Sequence, residues 1–405
     1  MGEKVVFDKN GGFLLHKCVV ALSNLLLLIP HVPLVFVATS ISAVESTGKW
    51  VEKLLKPSKL RAIQEEDGTT VAVAVAASDQ KNAHLMQLDG AAESLSLFKA
   101  DVLDRAALAA AVEGCQGVFH VASPVPADKT VDPEASTHLS IHLSEIMVPA
   151  VKGTLNILEV CSSLKVQKVV VVSSTAAVHS NPNWPQGKPK DESCWSDRKI
   201  CMEKEAWYSL AKTVAEEAAW EYAEKNELNV VTLCPCIVFG PQLQPVVNTT
   251  SELLIYVIKG GPNVLNDTPL QIVDVRDVAD ALLLIYEKPE SSGRYICAPN
   301  YISTKALLEL LKKTYPDYNY VKCKADAHQN SPVTPISSAK LSNLGWNPRA
   351  LEETLLDSIE YYRKMGILQD VEGQTYRLPY IFRHYQAAEE ADDKRLESEA
   401  AHCLP

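Results

Sequence analysis

From Thr69 onward, short apolar runs alternate with stretches of helical character, and this alternation restricts the possible folds more than any other feature of the sequence. The run Val169-Val170-Val171-Val172 is apolar at every position, which is typical of a strand that is buried on both faces. Strands that alternate with helices in this way predict a parallel sheet that is covered by helices on both sides.

The predicted architecture is a doubly wound Rossmann sheet of the α/β class, because right-handed crossovers between parallel strands place helices on both faces. The sequence pattern beyond Gly240 predicts a smaller, mostly helical C-terminal lobe. The predicted strands are Val71–Ala77, Leu95–Ala100, Gly117–Ala122, Lys168–Ser173 and Asn229–Val238. The predicted helices include Arg105–Val112, Pro149–Leu164 and Tyr208–Lys225.

The composition excludes some classes of partner. The 405 residues carry a formal net charge of -11, which argues against binding to nucleic acid, since that binding depends on Lys and Arg. The ten cysteines include no C-x-x-C pair and no spacing that suits a metal, so no metal site is expected. Reduced cysteines are typical of a reducing compartment, and we expect a cytoplasmic protein.

The apolar run Cys18–Ala43 leaves two alternatives open. It is nearly free of charge and long enough to cross a membrane, so a signal peptide or anchor is one interpretation. Asn24, Pro30 and Pro33 interrupt it, and few basic residues precede it, which argues against a membrane segment. In the other interpretation, Val32–Thr39 is the first strand of the sheet.

Three side chains could act on a carbonyl group. Tyr208 and Lys212 are four residues apart in a predicted helix and therefore share one face. Ser174 follows a predicted strand, at the edge where α/β sheets bind ligands. A lysine one turn away lowers the pKa of a tyrosine by placing positive charge beside the phenolate, and a serine can hold the substrate oxygen. The three residues predict a nicotinamide-dependent reductase.

The sequence from about Val71 to Leu368 resembles the extended short-chain dehydrogenases/reductases of the plant cinnamoyl-CoA reductase and dihydroflavonol reductase group. The segments that carry this resemblance are Leu97–Asp101, Gly117–Pro124, Val172–Ser174, Asp191–Asp197, Tyr208–Lys212, Val238–Pro241 and Val273–Val278. The resemblance implies an NADP(H)-dependent reductase that acts on an aromatic, phenylpropanoid-like acyl-CoA, aldehyde or ketone. We expect the protein to be a monomer with a small-molecule substrate.

The resemblance also implies roles for individual residues. Ser174, Tyr208 and Lys212 would be catalytic, with Tyr208 and Lys212 also touching the cofactor. The other residues implied in cofactor binding are Asp101 and Val102 beside the adenine, Ala122 and Ser123 along the dinucleotide, and Pro235, Ile237 and Val238 near the nicotinamide. His120 lies in the middle of a strand motif and is interpreted as a core histidine rather than a general base.

The glycine-rich turn of the family is the main departure. Gly48 matches its third glycine, but Ser42 and Glu45 then stand at the first and second positions, where backbone should approach the pyrophosphate. The earlier pair Gly11-Gly12 fits no better. Ala76 and Ala77 replace the arginine that meets the 2′-phosphate in the family's NADP-dependent members. Either the chain is a divergent enzyme, or its first 70 residues are an aberrant segment; a non-catalytic, reductase-like protein is the alternative function.

The expected domain organisation follows from these patterns. Residues 1–32 form an atypical apolar extension, and residues 33–241 form the Rossmann dinucleotide-binding domain, to which residues 272–286 return. Residues 242–271 and 287–368 form the substrate-binding lobe. Residues 369–405 are increasingly charged and are expected to be a poorly packed tail.

Overall fold

A computed structural model of the protein describes residues 34–38, 71–75, 84–87, 91–125, 143–244, 247–324, 334–370 and 376–383. Its strands are β1 (Leu34–Ala38), β2 (Val71–Val75), β3 (Leu95–Lys99), β4 (Gly117–His120), β5 (Lys168–Val172), β6 (Val230–Pro235), β7 (Ile237–Phe239), β8 (Pro269–Asp274), β9 (Gly293–Cys297) and β10 (Asn300–Ser303).

The α-helices pack around these strands, mostly between consecutive members of the large sheet. They are α1 (Ala91–Ser94), α2 (Arg105–Val112), α3 (Val148–Ser163), α4 (Arg198–Glu203), α5 (Trp207–Asn226), α6 (Thr249–Lys259), α7 (Val275–Glu287), α8 (Thr304–Thr314), α9 (Ala339–Asn343) and α10 (Leu351–Lys364).

Seven strands form one sheet in the order β3-β2-β1-β4-β5-β6-β9, and every neighbouring pair in it is parallel. The chain runs outward in one direction from β1 to β3 and in the other from β4 to β9. This reversal of strand order creates a crevice at the carboxyl ends of the central strands, where doubly wound sheets bind their ligands. The predicted fold class is confirmed.

The central strand β1 decides between the two interpretations of the apolar N-terminal run. It lies within the predicted stretch Val32–Thr39 and pairs with β2 on one side and β4 on the other. This part of the run is therefore a strand of the sheet. Across the described ranges, no helix combines the length and the apolar character that a membrane crossing requires.

Alternate residues of the buried strands supply two separate cores. On β5, Val170 packs in a cluster with Phe119 and with Leu282 of α7. Val169 and Val171 face the other way, into a cluster that includes residues of α2, α3 and α5. Since successive side chains of a strand point to opposite faces, the run of four valines fills both cores at once. The helix α7 thus packs on the large sheet, although the strand before it, β8, pairs in a smaller sheet with β7 and β10.

The predicted strand Asn229–Val238 is wrong as a single element. The chain leaves the large sheet at Pro235, and after Cys236 it enters a second, three-stranded sheet of order β10-β8-β7. Pro235 has no N–H with which to continue the hydrogen-bonded ladder, so a change of sheet at this position leaves no backbone donor unpaired.

The C-terminal lobe has its own core, in which Tyr256, Leu308, Ile359 and Tyr362 are buried. Residues 376–383 belong to this packing, and Leu378 is only 2% exposed. The expectation of a poorly packed tail from residue 369 is therefore wrong for this segment. The apolar run Leu378-Pro379-Tyr380-Ile381-Phe382 stands among charged residues, and burial of that run outweighs the average polarity of the tail.

Candidate active site

A cavity of about 510 Å³ opens at the carboxyl ends of β4, β5 and β6 and extends toward the C-terminal lobe. Ser174, Tyr208 and Lys212 all line it. Ser174 follows the end of β5, whereas Tyr208 and Lys212 lie on the separate helix α5, up to 38 positions further along the chain. The fold brings them to one surface, at the edge where the sheet topology predicts a ligand site.

Ser174 is held by the turn that follows β5. Its backbone is extended, with φ -162° and ψ 155°, and its Oγ accepts a hydrogen bond of 3.1 Å from the backbone N–H of Ala176. This bond starts the short 3-10 turn Thr175–Ala177 and fixes the side chain at the cavity. Because Oγ acts as an acceptor in the turn, its own hydrogen can still be donated to a ligand oxygen.

Lys212 lies one helical turn after Tyr208 on α5, as the spacing predicts. Its side chain is buried, and Nζ donates a hydrogen bond of 3.2 Å to the carbonyl oxygen of Val172 at the end of β5. The same Nζ lies 5.9 Å from the centre of the Tyr208 ring. The bond to β5 therefore ties the helix that carries Tyr208 to the strand that precedes Ser174.

A buried ion pair lies behind this group. Glu216, one further turn along α5, is 1% exposed and binds Arg294 of β9, with 2.8 Å between Arg294 Nε and Glu216 Oε1. The hydroxyl groups of Ser173 and Thr232 donate to the same carboxylate at 2.6 and 2.7 Å. The carboxylate thus connects α5 with β5, β6 and β9. The hydroxyl hydrogen of Ser173 is used in its bond to Glu216, whereas that of Ser174 can be donated to a ligand.

Arg294 is also fixed from its other sides. Its guanidinium donates to the backbone carbonyls of Cys194 at 2.8 Å and Glu192 at 3.1 Å, and it stacks on the Trp195 ring with 3.6 Å between group and ring centre. Burial has the largest single effect and alone would lower the pKa of Arg294, but the charge and hydrogen bond of Glu216, with contributions from Cys234, together outweigh burial and raise the pKa. Arg294 therefore stays charged, and its contacts hold the loop around Trp195 against the sheet.

The sequence analysis missed this ion pair. Glu216 and Arg294 are far apart in the chain, so no local pattern joins them. One local signal was available: Tyr208, Lys212 and Glu216 recur every four residues on the buried face of a helix, where a carboxylate needs a partner.

The residues implied in cofactor binding separate into two groups. Ser123, Pro235, Ile237 and Val238 line the same cavity as the catalytic candidates, from the ends of β4 and β6 and the start of β7. Together they form the wall beside Ser174.

The other residues of that set lie away from the cavity lining. Asp101 is exposed at the end of β3, and its Oδ1 accepts a bond of 2.8 Å from the N–H of Leu103, so it caps a turn. Val102 and Ala122 are buried in the core on the α2 and α3 side. Gly48 lies outside the described residues.

His120 is a core residue, as expected. It is 2% exposed, and its Nε2 lies 3.0 Å from the hydroxyl of Thr154. Burial, with a smaller effect of the Lys212 charge, lowers the pKa of His120 to about 3. The imidazole is therefore neutral at ordinary pH and lies outside the cavity lining.

The far wall of the cavity comes mainly from the lobe and was not predicted. It is apolar where α6 and the C-terminal segment contribute, through residues such as Leu253, Val257 and Phe382. Its polar side includes His179, whose pKa burial lowers to about 4 with a contribution from Lys190, and Lys190 itself, whose pKa burial lowers. Among the residues that the structure describes, no group of three or more His, Cys, Asp or Glu is arranged to hold a metal ion.

Comparisons with known proteins agree with this fold. A sequence profile described as the NAD dependent epimerase/dehydratase family matches residues 59–298. Cinnamoyl-CoA reductase 1 of Arabidopsis thaliana is 37% identical over 291 residues, which is 72% of this chain and 80% of that protein. A putative anthocyanidin reductase of Ginkgo biloba is 36% identical over 302 residues, which is 71% of this chain and 85% of that protein.

Two solved structures are similar throughout their length. Vestitone reductase from alfalfa has a TM-score of 0.64 and 26% identity, covering 83% of this chain and 99% of that one. Yeast methylglyoxal/isovaleraldehyde reductase, solved in complex with NADPH, has a TM-score of 0.65 and 22% identity, again covering 83% of this chain and 99% of that one. This second similarity is one of fold.

The chain belongs to the NAD dependent epimerase/dehydratase family, that is, to the extended short-chain dehydrogenases/reductases. Within this family, its similarity to plant cinnamoyl-CoA reductases and related reductases confirms the resemblance seen in the sequence motifs.

Proposed function

We propose that this protein is an NADP(H)-dependent reductase of an aromatic, phenylpropanoid-like carbonyl compound: an aldehyde, a ketone or an acyl-CoA thioester. One observation carries the proposal: Ser174, Tyr208 and Lys212 line one cavity whose far wall is apolar. Polar groups that can act on an oxygen therefore adjoin a surface that suits an aromatic ring.

The three side chains divide the work on the carbonyl oxygen. The cofactor, when bound, supplies a hydride to the carbonyl carbon. Tyr208 donates its phenolic proton to the oxygen on which negative charge develops, and Ser174 donates a hydrogen bond to the same oxygen. Lys212 stabilises the resulting phenolate through its charge, and the Val172 carbonyl keeps its ammonium group in place.

The part of the cavity beside Ser174 fits a nicotinamide. Ser123, Pro235, Ile237 and Val238 would hold it, since they line the cavity next to the catalytic candidates. Lys212 would also contact the cofactor, and Asp101 with Val102 would lie beside the adenine, at the end of β3. The similarity to the cinnamoyl-CoA reductase of Arabidopsis thaliana and the yeast fold solved with NADPH support the choice of NADP.

The alternative is a reductase-like protein without activity. Glu45 and Ser42 at two of the glycine positions favour it, because a carboxylate repels the pyrophosphate that this turn should bind. Both functions use the same fold, so cofactor binding separates them.

Thermal unfolding of the full chain with NADPH is the decisive measurement. A ligand that binds the folded state alone stabilises it by about 2.7 kcal/mol at 100 times its Kd. We expect the midpoint to rise with NADPH in wild type and also in Tyr208→Phe, which loses one hydroxyl contact with the cofactor but keeps the ring and the other residues that would hold it. An unchanged midpoint at millimolar NADPH would exclude the reductase and favour the inactive relative.

Three compounds with the same carbon skeleton test which class of carbonyl compound is reduced. Cinnamaldehyde, benzylideneacetone and cinnamoyl-CoA share an aromatic propenoyl group and differ only in what the carbonyl carries. Consumption of NADPH with one of them identifies the class. If NADPH binds and none of the three is reduced, the phenylpropanoid part of the proposal is wrong.

We also propose that the enzyme acts as a cytoplasmic monomer with the division into domains that the sequence predicts, except that residues 376–383 pack with the lobe. The similarity to reductases of small molecules supports a small-molecule substrate as its partner. Light scattering of the purified chain would give its mass in solution, and a mass of two or more chains would contradict the monomer. Cell fractionation would test the compartment.

A further inference from the structure

Lys190 forms part of the cavity wall and is fixed there by its backbone. Its N–H donates to the carbonyl of Pro335 at 2.8 Å, and its own carbonyl accepts from the N–H of Ser337 at 2.8 Å. Ile336, which lies between them, accepts a bond of 3.1 Å from the side chain of Gln271 on β8. The lysine therefore faces the cavity from the side of the lobe, where the substrate rather than the cofactor would lie.

The charge of Lys190 has no counter-ion among the described residues. Its ammonium group donates to the backbone carbonyl of His179, and no described carboxylate lies within 4 Å of it. The nearby Lys188 is different, since it pairs with Asp191 at 3.3 Å and lies 4.5 Å from the Trp184 ring, near the surface. An ammonium group has three N–H donors, so Lys190 can still donate to a ligand.

The described lining of the whole cavity also has more positive than negative side chains. Its described lining contains two lysines, Lys190 and Lys212, and no Asp or Glu. Lys212 is already assigned to the carbonyl chemistry. A half-buried cation without an anion is unfavourable even beside neutral polar groups, and a ligand with a carboxylate would provide the anion.

We propose that Lys190 binds a carboxylate at the end of the substrate that is remote from the reacting carbonyl. The inference rests on the proposed function, since it names the substrate class of the same cavity: acidic aromatic carbonyl compounds in preference to neutral ones. Lys190 is a specificity residue, because it touches the substrate away from the atoms that react.

The test uses matched pairs of substrates. The acids 4-formylbenzoate and 4-formylcinnamate are compared with their methyl esters, which have the same ring and aldehyde but no charge. We expect wild type to reduce at least one acid with a kcat/KM about 10- to 100-fold above that of its ester, the range for a hydrogen bond to a charged group. Equal values for both pairs would overturn the proposal.

Variants assign the preference to Lys190. Lys190→Met should lose it by lowering kcat/KM for the acid, with little change for the ester, and Lys190→Arg should restore most of it. Lys188→Met is the matched control and should keep the preference of wild type. If Lys190→Met lowers acid and ester equally, its role is structural and the proposal fails.

A binding measurement keeps the inference separate from the proposed function. Calorimetric titration with 4-methylcinnamate and with its uncharged amide needs neither cofactor nor turnover. We expect wild type to bind the acid more tightly than the amide, and Lys190→Met to bind both alike. If no aldehyde is reduced but this difference in binding is found, the proposed reductase function is wrong and the proposed carboxylate site at Lys190 is supported. If Lys190→Met binds the acid as tightly as wild type does, the proposed carboxylate site is wrong.

Discussion

The two walls of the cavity are built in different ways. The wall of Ser174, Tyr208 and Lys212 consists of polar groups on a strand end and a helix, which buried hydrogen bonds and the Glu216–Arg294 pair hold together. The opposite wall consists mainly of apolar side chains from the lobe. The first wall fixes a few atoms closely, as chemistry requires. The second supplies area and shape, which select the substrate.

The largest effect should come from the polar wall. Replacing Tyr208 with Phe removes the proposed proton donor and leaves the ring, so kcat should fall by about 10²- to 10⁴-fold with little change in KM. Steady-state kinetics with the best substrate would measure it. Tyr301→Phe is the control, because Tyr301 lines the cavity from the lobe side and should keep kcat near the value of wild type.

The next test concerns the support behind that wall. Glu216→Gln leaves the buried Arg294 without its counter-charge and should lower the free energy of unfolding by about 3–5 kcal/mol. Its neighbour Glu217 pairs with the exposed Arg198 at the surface, and Glu217→Gln should cost about 0–1 kcal/mol. Urea unfolding of both variants would measure the difference. Similar losses in the two would mean that the buried pair does not support the polar wall.

Substitutions in the apolar wall should change KM more than kcat. Phe382 lines the cavity from the C-terminal segment, and Phe382→Ala removes apolar contact with an aromatic substrate. We expect KM to rise about tenfold, the effect of losing part of a buried phenyl group, while kcat changes little. The exposed neighbour Arg383 provides the control Arg383→Ala. A fall in kcat without a change in KM would show that the two walls do not divide binding from chemistry.

The last test concerns the pH dependence of stability. The pKa of His120 is lowered to about 3 in the folded protein, against about 6.5 when unfolded. Below pH 6.5 the unfolded chain takes up the proton first, so this group stabilises the fold above that pH and its contribution is lost as pH falls toward 3. The slope is about 1.4 kcal/mol per pH unit at most.

His120→Gln should flatten that slope while it keeps a donor near Thr154. Urea unfolding between pH 5 and 7 would measure it, with His179 left in place in both proteins because its pKa is lowered too. An unchanged slope would show that His120 is protonated equally in both states.

Much of the fold and of the polar wall can be predicted from the sequence, because both depend on local patterns. Helix α2 ends where its sequence pattern does, and the valines of β5 show a strand buried on both faces. The four-residue spacing of Tyr208 and Lys212 needs only helical geometry.

The rest depends on contacts between distant parts of the chain. Glu216 meets Arg294 only because β6 and β9 are neighbours, and Lys190 reaches the cavity because residues 335–337 hold its backbone. Leu378 and Phe382 gave a weak signal as an apolar run in a charged tail. The average composition of that tail concealed it.

The position of Glu216 on α5 makes the length of this helix a fixed requirement. Tyr208, Lys212 and Glu216 occupy three successive turns of one face, with the Tyr208 hydroxyl at one end and the buried Glu216–Arg294 pair at the other. Inserting or deleting one residue between Tyr208 and Glu216 turns one end by about 100° relative to the other. The number of residues between the two ends therefore cannot change without separating the Tyr208 hydroxyl from the ion pair that anchors its helix.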